Sequence, residues 1–68
     1  MSNAFSALQA IREIAPDLGL HSVEISDGVL AADFRMPGYD GVQFIRIDGV
    51  TVEAAAQMVV NGVRDALK

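Results

Sequence analysis

The chain has 68 residues, a formal net charge of −4 and no cysteine. This length predicts a single domain over residues 1–68, and the lack of cysteine excludes disulfides, thiolate metal sites and a thiol nucleophile. The negative charge removes the main source of nucleic-acid affinity, which is the attraction of Lys and Arg for phosphate. No apolar run approaches the roughly 18 residues of a membrane span, and the N-terminus lacks a signal-peptide pattern. We therefore expect a cytoplasmic protein that binds neither a membrane nor nucleic acid directly.

An amphipathic helix is predicted over residues 4–15. Its apolar positions recur at intervals of three and four residues: Ala4, Leu8, Ile11 and Ala15. Ser2 or Asn3 can cap the first turn. Pro16 should end the helix, because a proline disfavours the helical conformation of the residue before it.

Two strands around Asp27-Gly28 give the clearest signal in the sequence. Apolar and polar residues alternate on both sides of this dipeptide, which is typical of a hairpin with a two-residue turn. The predicted register pairs opposed residues on a common core face, which comprises His21, Val23, Ile25, Leu30, Ala32 and Phe34. The other face carries Ser22, Glu24, Ser26, Val29, Ala31, Asp33 and Arg35. We interpret His21, which this register pairs with Phe34, as a partly buried structural histidine.

Residues 37–41, Pro-Gly-Tyr-Asp-Gly, predict a loop. Tyr39 at its tip is a candidate contact anchor for a partner, and the alternative is a ring folded back over the edge of the core.

A third strand is predicted over residues 42–47. The sequence leaves the orientation of this strand open. If Arg46 and Asp48 point to water, alternation sends Ile45 and Ile47 to the core and Val42 and Phe44 to the outer face. There they would form an apolar patch with Val29 and Ala31 that no local element covers.

The last segment predicts a second helix that begins after Thr51 as its cap. Its apolar stripe comprises Val52, Ala56, Val59, Val63 and Leu67, widened by Ala55, Val60 and Ala66. The predicted fold class is therefore α+β, in the order helix, strand, strand, strand, helix. Three antiparallel strands form a meander, and both helices pack on one face of the sheet.

This order resembles the double-stranded-RNA-binding domain, and residues 49–56 are similar to that family's entry to its last helix. The resemblance implies the same fold plan. It does not extend to RNA binding, because Val52, Glu53 and Ala54 stand where the family carries its lysine cluster. No lysine occurs before Lys68.

The candidate site is the outer face of the sheet. Glu24 and Asp33 could form an acidic edge to the apolar patch, and the alternative is a solvated face balanced by Arg35 or Arg46. The candidate partner-binding residues are Glu24, Asp33, Tyr39, Asp40, Val42 and Phe44. The sequence holds no phosphate-binding loop, no set of metal ligands and no nucleophile–base pair, so we expect no cofactor, metal or catalytic residue.

Three functions remain open from the sequence. The first is a small acidic, non-enzymatic protein that binds a basic protein partner, as phage or mobile-element inhibitors do, anti-CRISPR proteins among them. The second is a structural homo-oligomer, for example a homodimer, that assembles through the outer face or a free edge strand. The third is an enzyme or enzyme subunit, for which His21 is the single candidate residue.

Overall fold

We describe a computed structural model, which places residues 3–68. Its elements are α1 (Asn3–Ile14), β1 (Leu20–Ser26), β2 (Val29–Met36), β3 (Tyr39–Arg46) and α2 (Val52–Leu67). The strands form one antiparallel sheet in the order β1-β2-β3, so β2 is central and the other two are edges. The predicted element order and meander are confirmed.

Both helices lie on one face of the sheet, as predicted. Helix α1 contacts β1, α2 contacts β3, and the two helices contact each other. The core between these layers is apolar throughout, and its largest fully buried side chains are Phe34, Ile11, Leu30, Val59, Val60 and Val63. Within residues 3–68, neither helix has the length and apolar character needed to cross a membrane.

The first hairpin turns at Asp27-Gly28, as predicted. Asp27 has φ 53° and Gly28 has φ 74°, and two successive positive φ angles define the primed turn that matches the twist of the flanking strands. From this turn the register runs as predicted through the pairs of Ile25 with Leu30 and of Val23 with Ala32.

At the start of β1 the predicted register is wrong. A β-bulge shifts the pairing, so Leu20 and not His21 lies opposite Phe34. Leu20 is buried in the core, while His21 is exposed. An extra residue in one strand breaks the alternation of side chains between faces, and period-two reasoning from the turn therefore fails at this point.

The second hairpin is tighter than predicted. Met36 pairs with Tyr39, so the loop consists of Pro37 and Gly38 alone, and β3 starts three residues earlier than expected. Gly38 has φ 90°, and proline followed by a positive-φ glycine is typical of a type II turn. The predicted five-residue loop is wrong, because residues 39–41 belong to the strand.

Helix α2 begins as predicted, with the Thr51 Oγ1 accepting a hydrogen bond from the Ala54 N–H at 3.1 Å. Its stripe packs into the core except at the C-terminal end. Ala66 and Leu67 are exposed there, contrary to the prediction. Leu67 lies beside Gly38 at the second turn, where the sheet ends.

An ion pair joins the segment after α1 to α2. The guanidinium of Arg64 donates two hydrogen bonds of 3.3 Å to the two oxygens of Asp17. These bonds favour the charged carboxylate and lower the pKa of Asp17 below its ordinary value of 3.8.

Candidate functional site

The outer face of the sheet is built from four cross-strand rows, and the row beside the first turn contains Ser26, Val29 and Arg46. One row contains Glu24, Ala31 and Phe44, because Ala31 is paired with both of the others. The next row contains Ser22, Asp33 and Val42, and the last contains Arg35 and Asp40. Neighbouring strands lie about 4.8 Å apart, so the backbones at Glu24 and Phe44 are separated by roughly 10 Å.

The centre of this face is apolar and uncovered. Phe44 is 68% exposed and Val42 is 43% exposed, and both helices lie on the opposite side of the sheet. The structure settles the orientation of β3, which the sequence left conditional: Ile45 packs toward the core and Phe44 faces outward. A phenylalanine this exposed on a rigid sheet loses little conformational freedom when a partner covers it, so it is a suitable anchor.

Two ion pairs balance charges on or beside this face. Arg35 donates to Asp33 at 3.3 Å, and Arg46 donates to Asp48 at the same distance. Asp33 is thus neutralised within the face, which agrees with the solvated-face alternative for this residue. In the part of the chain that the structure describes, neither Glu24 nor Asp40 forms an ion pair.

The net charge of the chain arises from few residues. Four of the five basic residues pair with an acid, which leaves Arg12 as the basic residue outside the ion pairs of residues 3–68. Five acids are likewise outside them: Glu13, Glu24, Asp27, Asp40 and Glu53. Three of these five lie on the outer face or in its first turn. The uncompensated negative charge is therefore concentrated around the apolar centre.

Tyr39 does not lie at a loop tip, and that prediction is wrong. It is the first residue of β3, and its half-buried ring packs edge-on against Phe34, with the centroids 6.2 Å apart. Its hydroxyl accepts a hydrogen bond from the Gln43 Nε2 at 2.9 Å. The structure thus corresponds to the alternative in which Tyr39 covers the edge of the core. We leave it out of the candidate surface.

The remaining candidate residues and the cavity do not form a recognisable binding or catalytic site in the described residues. His21 is exposed on the bulge, and no three His, Asp or Glu side chains within residues 3–68 lie together as metal ligands would. A cavity of about 120 Å³ opens between the first hairpin and the start of α2, with Thr51 as its single polar wall residue. Ligand cavities usually reach several hundred Å³, so this one is small by comparison. The first turn of α2 carries Glu53 and no lysine.

The comparisons with known proteins add no relative to this description. No protein-family model matches the chain, and neither the curated proteins nor the solved structures contain a match.

Proposed function

We propose that this protein is a non-enzymatic binding module whose outer sheet face docks on a basic surface of another protein in the cytoplasm. The observation that carries the proposal is the uncovered apolar pair of Val42 and Phe44, with the unpaired acids Glu24 and Asp40 at its margins. Contacts of this kind combine an apolar centre with a charged rim.

The two parts of the surface have different tasks. Burial of a fully exposed phenylalanine contributes about 1.5–3 kcal/mol, so Phe44 would supply much of the affinity. Exposed rim acids mainly accelerate association with a partner of opposite charge, and reversal of a rim charge places like charges against each other at a large cost in affinity. Glu24 and Asp40 would therefore select a basic partner and orient it on the face.

A basic, nucleic-acid-handling protein fits this surface best. Its phosphate-binding groove presents Lys and Arg side chains, and an acidic protein of this size could occupy that groove in place of the nucleic acid. This is the way in which a phage or mobile-element inhibitor of the anti-CRISPR kind would act. The protein itself would not bind nucleic acid, because phosphates would meet uncompensated carboxylates.

The test is capture from a lysate of the source organism with the immobilised protein, followed by mass spectrometry. Two variants remove the proposed surface: Ala31→Arg places a long side chain at its centre, and Glu24→Arg reverses a rim charge. The matched control is Glu13→Arg, which makes the same charge change on α1, on the opposite side of the domain.

We expect the wild type and the control to retain a basic protein, and both surface variants to lose it. A wash with 0.5 M salt should release this protein, because salt at this concentration screens charges beyond roughly 4 Å. Retention of the same proteins by all four would refute the proposal. The alternative of a homo-oligomer that stacks two outer faces predicts instead that Ala31→Arg lowers the molecular mass in solution.

A further inference from the structure

We infer that two copies of this chain pair through the free edge of β3 and form one continuous, two-fold symmetric antiparallel sheet. Within the described chain, β3 pairs with β2 alone, and its eight residues contain no proline, no lysine and no bulge. Proteins commonly protect exposed edges with such features, and β1 has one in the bulge at His21. Apart from the charged side chains of Asp40 and Arg46, the β3 edge lacks this protection.

The backbone groups available for pairing can be assigned from the hairpin. Hydrogen-bonded and non-hydrogen-bonded residues alternate along an antiparallel pair, starting from the bonded pair that closes a two-residue turn. Here that pair is Met36 and Tyr39, and the bond from the Ile47 N–H to the Gly28 oxygen at 2.9 Å continues the same alternation. The residues whose N–H and C=O groups point to the open side are therefore Asp40, Val42, Phe44 and Arg46.

These four residues are complementary to the same four residues of a second copy. An antiparallel pairing with its two-fold axis at Gln43 places Asp40 opposite Arg46 of the second copy and Val42 opposite its Phe44. The opposite charges attract, and an aromatic residue opposite a β-branched one is a favourable cross-strand pair. In this dimer Asp40 would be paired, and Glu24 would remain as the unpaired acid at the margin of the partner-binding face. A shift of two residues in either direction places Asp40 opposite Phe44 or opposite Asp48. The sequence of β3 thus favours one register.

Helix α2 lies near the proposed axis. Gly62 of α2 lies over Gln43, where an added Cβ would stand 2.6 Å from the Gln43 Oε1. Gly62 and Arg64 are two residues apart and point to nearly opposite sides of the helix, and Arg64 reaches Asp17 on the side of α1. The Gly62 side therefore faces the β3 edge, where the absence of a side chain makes space for Gln43 of the same chain. Met58, which is 46% exposed one turn earlier on the same side of α2, is an apolar side chain available for contact with the second copy.

A charge swap tests the pairing by molecular mass in solution, measured by light scattering and sedimentation. The wild type should be a dimer. Asp40→Arg alone and Arg46→Asp alone place like charges opposite each other, and each should weaken the dimer at least about tenfold. The double variant restores attraction and should restore the dimer. The control Glu24→Arg, on the far edge strand, should not change the mass.

A monomeric wild type, single variants that keep the wild-type mass, or a double variant that stays monomeric would each overturn the inference. Ala31→Arg should leave the dimer intact, because Ala31 lies on the central strand. Ala31→Arg therefore tests partner binding without affecting the dimer, and the charge swap of Asp40 and Arg46 tests the dimer, so that either proposal can fail independently of the other.

A single cysteine tests the register directly, since the chain has no cysteine of its own. Directly opposed, non-hydrogen-bonded residues lie about 4.5 Å apart at Cα, within the range for a disulfide. Gln43→Cys should therefore form a covalent dimer under mild oxidation, whereas the control Glu24→Cys should not. Equal cross-linking of both variants, or none with Gln43→Cys, would show that the register is wrong.

Discussion

The two phenylalanines on opposite faces of the sheet should respond very differently to the same change. Phe34 is 0% exposed at the centre of the core and packs edge-on against Tyr39. Its replacement by alanine removes this contact and leaves a cavity, at an expected loss of about 3–5 kcal/mol. Phe44 is 68% exposed, and its replacement by alanine should change stability by no more than about 0.5 kcal/mol in the monomer.

These values can be compared with the stability expected for the whole chain. At roughly 0.05–0.15 kcal/mol per residue, a chain of this length is stable by about 3–10 kcal/mol. Phe34→Ala should therefore unfold the protein or lower its Tm by more than about 12 °C. Thermal and urea unfolding followed by circular dichroism provide the measurement, at two protein concentrations so that dimerisation is separated from folding. If Phe44→Ala proves the more destabilising change in the monomer, our assignment of the core face is wrong.

Three further predictions concern single contacts. Gly19→Ala should lower the free energy of unfolding by about 1–3 kcal/mol, because the added Cβ would meet the backbone oxygen of Arg35. The control Gly41→Ala should have a small effect, since the nearest atom to its added Cβ is at 3.6 Å. Equal losses of stability in urea unfolding would contradict this prediction. Thr51→Ala removes the cap of α2 and should cost about 0.5–2 kcal/mol in the same assay, with full stability in Thr51→Ser. Because the pKa of Asp17 is lowered in the folded chain, its ion pair stabilises the fold above the unfolded value of 3.8, and this contribution is lost as the pH falls through the folded pKa. The stability difference between the wild type and Asp17→Asn should accordingly disappear in acid, and a difference that persists there would refute the assignment.

The sequence predicts the fold well because most of its local signals agree. Strict alternation on both sides of Asp27-Gly28 determines the first hairpin, and the same alternation counted from Arg46 correctly places Phe44 on the outer face. The errors occur where alternation is interrupted. Nothing in the residues around His21 signals a bulge, which depends on how the chain approaches β2 through Gly19.

The candidate site is less predictable than the fold. Pro37-Gly38 is by itself a complete two-residue turn, and that signal could have assigned Tyr39 to the strand. The sequence offers Arg35 as one of two residues that could balance Asp33, but it does not decide which acid Arg35 bonds, because Asp40 lies directly opposite Arg35 in the sheet. Side-chain geometry decides between two such acids, and that choice determines which charge remains available on the face.

The bulge in β1 has a consequence for the size of any assembly. A sheet with two open edges can add copies at both ends and grow into a fibre, whereas a sheet with one open edge is complete once that edge has been paired. The bulge disrupts the ladder where β1 begins, and β3 is uninterrupted. Association by strand pairing would therefore stop at two chains. We expect removal of the bulge by deletion of His21 to convert a self-limiting complex into one that polymerises.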